Sequence, residues 1–153
     1  MPLAELNFGT LKHPWGDPRI ADFQDNVDRV NAIAQRSPGF IWMLPDDQMD
    51  FEQSDPAGAL AHRPNSASML SVWQDAASLW AFVEKTIHVQ FLRRGAEWFE
   101  PNDRSHLVIW HVEKGHRPSV VEGLAEWQLL QDGNETDTRF GGARLRELAN
   151  GGA

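Results

Sequence analysis

The stretch from Ala67 to Phe99 constrains the fold more than any other part of the chain. Polar and apolar residues alternate from Ser68 to Trp73, which predicts a β-strand. Asp75 then stands where a helix N-cap is needed, because its carboxylate can accept a free backbone N–H of the first turn. An amphipathic helix is predicted next, and its apolar stripe consists of Leu79, Val83, Ile87 and Phe91.

The same patterns predict three further strands. Leu3 to Leu11 alternates between two faces, one of which carries Asn7. Phe40 to Leu44 is a short apolar run, and His106 to Val112 is a second one. A run of this length, bounded by turn residues, is typical of a strand rather than a helix.

Two more helices are predicted from their first residues. Asp17-Pro18 starts one helix, because proline at the first helical position loses no needed hydrogen-bond donor. Its buried stripe consists of Ile20, Phe23, Val27, Val30 and Ala34. Ser119 and Glu122 form a capping-box pattern that starts a C-terminal helix.

The resulting order is β-α-β-β-α-β with an additional C-terminal helix, which predicts an α+β, ferredoxin-like fold. In that arrangement two helices cover one face of an antiparallel sheet. The strands carry apolar residues on both sides, so we expect a second copy to cover the other face and form a homodimer, a dimeric α/β barrel. One domain is expected over residues 1–140, followed by a flexible tail over residues 141–153.

The segment from Pro45 to Pro64 breaks the pattern of strands and helices. It holds three prolines, many carboxylates and few large apolar residues. We predict a long loop, which is either a solvated excursion or a lid over a pocket.

Charge and composition narrow the classes of partner. The net charge of −8 argues against nucleic acid and anionic membranes, and it suits a small molecule that is neutral, cationic or apolar. No cysteine is present, which fits a cytoplasmic protein. The first residues lack the pattern of a signal peptide, and no apolar run is long enough to span a membrane.

Several strings of this sequence resemble one bacterial family. They are SVWQDAASLWAFV, RRGAEWF, HLVIWHV and GHRPSVVEGL, together with the start LAELNFGTLKHPWGDPRIADFQDNVDRVNAIAQRSPGFIW. They look like the domain-of-unknown-function family 3291, which resembles the dimeric α/β barrel superfamily. That superfamily includes antibiotic-biosynthesis monooxygenases, haem-degrading monooxygenases, polyketide cyclases and aldoxime dehydratases. The resemblance implies a pocket between the sheet and the helices, but no single reaction.

Three residues match the haem-degrading members of that superfamily. These members use an asparagine on the first strand, matched here by Asn7, and a tryptophan and a histidine on the second helix, matched by Trp80 and His88. An amide can hold a substrate oxygen, and a neutral imidazole can act as a base or bind iron near neutral pH. The alternative is that Trp80 packs in the core and His88 is a hydrogen-bonded histidine at its edge.

Aromatic residues offer a second group of candidates. Trp42, Trp73 and Trp110 lie on three predicted strands. They belong either to the core or the dimer interface, or to an aromatic wall for a planar ligand. Ser71 shares the face of Trp73 and is predicted to contact the same ligand. On the helix, Trp80 and Phe91 are predicted as further apolar walls of the pocket.

The histidines do not predict a metal site. His106 and His111 are five residues apart on one predicted strand, so their side chains point to opposite faces. No HExxH motif is present, and neither is a Walker, GxSxG or GxGxxG motif.

Three functions of different classes follow from these residues. The first is a monooxygenase-like or cyclase-like enzyme without an organic cofactor, acting on an aromatic or polyketide-type molecule with His88 as base and Asn7 as positioning group. The second is a haem-binding or haem-dependent protein with His88 as axial ligand. The third is a dimeric ligand-binding module without activity.

Overall fold

A computed structural model describes residues 1–63, 65–85, 94–100 and 106–151 of the chain. Its strands are β1 (Leu3–Thr10), β2 (Phe40–Met43), β3 (Ser66–Trp73), β4 (His106–His111) and β5 (Arg139–Phe140). Its helices are α1 (Ala21–Arg36), α2 (Asp46–Ser54), α3 (Ala76–Lys85), α4 (Gly95–Trp98), α5 (Val120–Gln131) and α6 (Gly142–Ala149). A short 3-10 turn, Pro18–Ile20, leads into α1.

The strands form one sheet in the order β2-β3-β1-β4-β5, and every pairing is antiparallel. The first four strands have the order of a ferredoxin-like sheet, with α1 in the first β-α-β connection and α3 following β3. The predicted α+β fold is confirmed by this order. Along the central pair, Glu5 lies opposite Ser71 and Asn7 lies opposite Met69.

Helix starts follow the side chains that the sequence offers. Asp75 accepts the backbone N–H of Ser78 at 2.8 Å, as expected of an N-cap. Ser119 likewise accepts the N–H of Glu122 at 3.0 Å. The carboxylate of Glu122 does not complete the capping box, because it accepts instead from the indole of Trp110 and contacts His116.

Helices lie on both faces of the sheet, which differs from the expected one-sided cover. The first face carries Leu3, Glu5 and Asn7 of β1, and its apolar residues pack with α1, α3 and α6. The second face carries Ala4, Leu6 and Phe8, and it packs with α5 and with the segment that contains α2.

The second face is therefore buried within a single chain. Leu6 and Val108 are inaccessible to solvent there, and Trp110 is nearly so. The reason given for a homodimer, an uncovered apolar face, does not hold for β1 and β4. The homodimer itself stays a prediction.

The prediction of a long loop from Pro45 to Pro64 is wrong over residues 46–54, which form α2. Asp46 and Asp47 lie in the first turn of this helix, where negative charge is favourable. Met49 and Leu60 are buried in the core of the second face, so few apolar residues were enough to anchor the segment.

The expected flexible tail is also wrong over most of its length. Residues 142–149 form α6, whose Leu145 is 2% exposed and packs in the core of the first face. One buried leucine and the half-buried Leu148 explain the order, although the segment is rich in glycine and arginine. None of the helices described here is long and apolar enough to cross a membrane.

Candidate functional site

A cleft of about 620 Å³ lies between the sheet, α1 on the first face and α2 on the second, and side chains of both faces line it. The sheet contributes Asn7 from β1 and Met69 from β3, while the helices contribute mostly apolar and acidic side chains. A volume of this size suits a small organic molecule. The cleft is lined by Asn7, Trp15, Phe23, Gln24, Asn26, Val27, Asp28, Val30, Asn31, Asp46, Met49, Asp50, Gln53, Ser54, Ala67, Ser68, Met69 and Phe99.

The charges around this cleft are negative. Asp28, Asp46 and Asp50 line it, and no lysine or arginine is among the described residues that do. The pKa of Asp46 is raised, first by burial and then by repulsion from Asp28 and Asp50. A neutral or cationic ligand is therefore easier to accommodate here than an anion.

Asn7 connects the cleft to a row of polar side chains beneath the helices. Its amide Nδ2 donates a hydrogen bond to Oε1 of Glu5. The other carboxylate oxygen, Oε2, accepts from the Ser71 hydroxyl at 3.0 Å. Ser71 in turn accepts from the indole Nε1 of Trp73 at 2.9 Å. Strand alternation places all four on the first face.

Glu5 is the most perturbed acid among the buried residues of this site. It is 5% exposed, and burial raises the pKa of its carboxyl from 4.5 to about 7. The hydrogen bonds from Asn7 and Ser71 lower the pKa and so offset part of that effect. The carboxyl of Glu5 therefore changes charge near neutral pH. It is buried behind Asn7, to which it is hydrogen-bonded and which lines the cleft.

Gly9 follows Asn7 on the same face of β1, but it leaves no room for a ligand. A Cβ at this position would lie 2.8 Å from the ring of Phe99. Phe99 is held there by a β-bridge to Leu11. The ring of Phe99 therefore fills the space beside Gly9 and closes this end of the cleft.

The predicted residues of the first face have different roles. Asn7 lines the cleft, whereas Ser71 and Trp73 are fully buried behind it. Trp73 stacks on Phe82 with ring centroids 5.3 Å apart, so its ring is a core residue. Trp80 also packs against this core, as its alternative reading expected.

Trp42 and Trp110 lie on the second face, across the sheet from Trp73. The three tryptophans therefore cannot wall one pocket, and that hypothesis is wrong. Trp110 is a core residue whose indole donates to Glu122 at 2.9 Å. Trp42 lines a second cleft of about 670 Å³, where the guanidinium of Arg117 lies 6.0 Å from its ring centroid.

His88 and Phe91 lie outside the described residues, so the predicted cavity shared by Asn7 and His88 stays a prediction. His106 and His111 do lie on opposite faces, with His106 against Phe8 and His111 against Phe140. In the part of the chain that the structure describes, no three histidine or acidic side chains are placed to hold a metal ion.

Haem, the other cofactor that the resemblance implies, fits this cleft poorly. Its two propionates are anionic, and among the described lining residues they would face Asp28, Asp46 and Asp50 and no lysine or arginine. Trp80, which the resemblance would place beside the haem, is half-buried and packs against the core of the first face.

Sequence reasoning missed Glu5 as a site residue. It stands between apolar residues in the string LAELNF, where a buried carboxylate needs a partner or a function. That signal was present in the alternation of β1, but only the structure shows that the face of Glu5 lies beneath helices. The acidic side chains of α2 were missed because the segment was predicted to be a loop.

The profile of one protein family, described as "Domain of unknown function (DUF3291)", matches residues 2–149. No curated protein matches the sequence. One similar solved structure is described as SnoaB, a cofactor-independent oxygenase from Streptomyces nogalater. It is 16% identical, the match covers 77% of this chain and 98% of that chain, and the TM-score is 0.47. A likeness at this level says nothing about activity.

Proposed function

Because the chain belongs to the DUF3291 family, whose description assigns no activity, we propose a function from the cleft that Asn7 lines. The chain binds a neutral or cationic small molecule with an aromatic or polyketide-type body. It acts on this molecule in a monooxygenase-like or cyclase-like reaction that needs no organic cofactor. Asn7 positions a polar group of the ligand, and His88 is the predicted base.

One observation carries this proposal. Asn7 is the residue of β1 that lines the cleft. It is hydrogen-bonded to the buried carboxyl of Glu5, whose pKa burial raises to about 7. Within the described part of the chain, the hydrogen-bond partners of this carboxyl are the uncharged Asn7 and Ser71. A carboxyl buried with uncharged partners destabilises a fold, and such groups are concentrated at functional sites.

The lining of the cleft supports the class of ligand. Phe23, Val27, Met49, Met69 and Phe99 give it apolar and aromatic surface, which suits a planar or hydrocarbon body. The three carboxylates at the cleft disfavour an anion. Proton removal from such a ligand by a base near neutral pH is the reaction step that these surroundings suit.

Ligand binding is tested by thermal shift with matched neutral, cationic and anionic aromatic compounds. We expect the neutral and cationic members to raise the melting temperature and the anionic members not to. Asn7→Ala should remove the effect. Asn134→Ala, at an exposed position that does not line the cleft, is the control and should keep it. Binding that survives in Asn7→Ala and is lost in Trp42→Ala would assign the ligand to the second cleft.

Activity is tested with the compounds that bind. Oxygen consumption and product mass are measured for the wild type and for His88→Ala. We expect turnover in the wild type and its loss in the variant, with binding retained. Tight binding without turnover of any compound would favour the non-catalytic ligand-binding module.

A further inference from the structure

The hydrogen bonds behind the cleft have a fixed direction. An indole N–H can only donate, so the bond between Trp73 and Ser71 uses the hydroxyl oxygen as acceptor. The single hydrogen of that hydroxyl is then directed to Oε2 of Glu5, 3.0 Å away. Oε2 is therefore the acceptor of this bond, and keeping the bond when Glu5 is neutral places the carboxyl proton on Oε1.

Oε1 is the oxygen that Asn7 contacts. When Glu5 is ionised, Oε1 accepts from the Nδ2–H of Asn7, and the amide oxygen Oδ1 is the end left for the cleft. When Oε1 carries a proton, it becomes a donor, and the group of Asn7 that can accept from it is Oδ1. The amide must then rotate by half a turn, which leaves its NH2 group for the cleft.

We propose that Glu5 is a positioning residue that sets the specificity of the cleft by deciding which end of the Asn7 amide a ligand meets. With Glu5 ionised, the cleft selects a ligand group that donates a hydrogen bond. With Glu5 neutral, it selects a group that accepts one, such as a ketone oxygen. This inference rests on the proposed ligand cleft, but the switch itself exists without a ligand.

Few of the described residues surround Glu5. Across the sheet Glu5 meets Ser71 on β3 and Ile109 on β4, and the apolar side chains packed on this face include Leu79 and Phe82 of α3. His111, opposite Leu3, is the next titratable group along the register of β4. The carboxylates of α1 and α2 lie around the cleft. The pKa of Glu5, raised to about 7, is set by burial and by Asn7 and Ser71 rather than by these charges.

Nuclear magnetic resonance tests the switch in the free protein. The carboxyl carbon of Glu5 and the side-chain amide of Asn7 are followed from acid to mildly alkaline pH, with Asn7→Ala used to assign the amide signal. We expect both to titrate with one midpoint. An Asn7 amide that stays unchanged while Glu5 titrates would overturn the inference.

Glu5→Gln fixes the neutral arrangement. Its amide oxygen accepts from Ser71, and its NH2 group donates to Oδ1 of Asn7, as the protonated carboxyl does. The Asn7 signals should be independent of pH in this variant and equal to those of the wild type in acid. Glu113→Gln, at an exposed position, is the control and should titrate like the wild type. Asn7 signals in Glu5→Gln that match the wild type in alkali would also overturn the inference.

Two probes of similar size test the effect on ligands. Indole is a neutral donor, and acetophenone is a neutral acceptor. As pH rises through the Glu5 midpoint, indole should bind more tightly and acetophenone less tightly, each by roughly 3- to 10-fold for one hydrogen bond. In Glu5→Gln both affinities should be flat. Parallel trends for the two probes would refute the specificity role, whereas co-titration with no binding of either probe would refute the ligand cleft and leave the switch supported.

Discussion

Replacing Glu5 by glutamine should make the protein more stable at neutral pH, although it removes a hydrogen-bonded buried carboxylate. The pKa of Glu5 in the folded chain is about 7, against an ordinary value of 4.5. Between these values the folded state binds a proton that the unfolded state has lost, so stability falls as pH rises. The contribution is fully present below the unfolded pKa and is lost as pH passes the folded pKa.

The magnitude follows from the same pKa values. One pH unit corresponds to about 1.4 kcal/mol for one proton, so the wild type should lose about 2.5 kcal/mol between about pH 5 and about pH 8 through Glu5 alone. Glu5→Gln lacks this loss and keeps the contacts to Asn7 and Ser71. The difference in unfolding free energy between the variant and the wild type should therefore grow by about that amount.

Urea unfolding followed by tryptophan fluorescence measures this difference, since the chain has seven tryptophans. Taking the difference between two proteins cancels the other titrating groups, including His111, whose pKa burial lowers. Glu113→Gln serves as the exposed control. A difference that stays constant across this pH range, or one that shrinks as pH rises, would refute the account of a carboxyl neutralised by burial.

Three further changes test the packing. Trp73→Ala should lower the unfolding free energy by about 3–5 kcal/mol, because a fully buried ring is removed; an unchanged urea midpoint would contradict this. Leu145→Ala should lower it by about 2–5 kcal/mol if α6 is part of the core, and little change would restore the tail prediction. Gly123→Ala should destabilise by about 1–3 kcal/mol, since the new Cβ would lie 2.7 Å from Leu6; the exposed Val121→Ala is its control, and a gain in melting temperature for Gly123→Ala would refute this packing.

The local patterns of the sequence were sufficient to predict β1 to β4, α1, α3 and α5 and the order of these elements. Alternation in β1 and β3, the cap at Asp75 and the cap at Ser119 depend on neighbouring residues only, so each can be read without knowledge of the rest of the chain. The order of these elements then led to the ferredoxin-like sheet, because few topologies connect them without crossing.

Elements with weak local patterns were missed. The residues of α2 carry many charges and one buried side chain, Met49, and those of α6 are held by Leu145. Their helices are stabilised by packing against a core that other segments build, and no local pattern reports such contacts. The cover of the second face by α5 was missed for the same reason, and with it the weakness of the argument for a homodimer.

The site was predicted in part, because strand alternation defines faces without saying what covers them. Strand alternation placed Glu5 and Asn7 on one face of β1. Whether a carboxyl on that face is exposed to solvent or buried depends on the helices that cover it. Burial is what moves the pKa of Glu5 to about 7. The pKa of Glu5 therefore depends on its tertiary contacts, which the local pattern of the sequence does not report.

A purely structural role for Glu5 is hard to reconcile with its energetics. At neutral pH and above, we expect its ionised carboxyl to make the fold less stable than a neutral amide of the same shape would. Glutamine can hydrogen-bond both Ser71 and Asn7, with the bond to Asn7 in the opposite direction. What glutamine cannot do is exchange a proton. Residues that lower stability while adding a titrating group are expected where a site needs that group. If Glu5→Gln proves more stable in alkali and loses the pH dependence of Asn7, the proton of Glu5 is the property that distinguishes the natural residue from its amide.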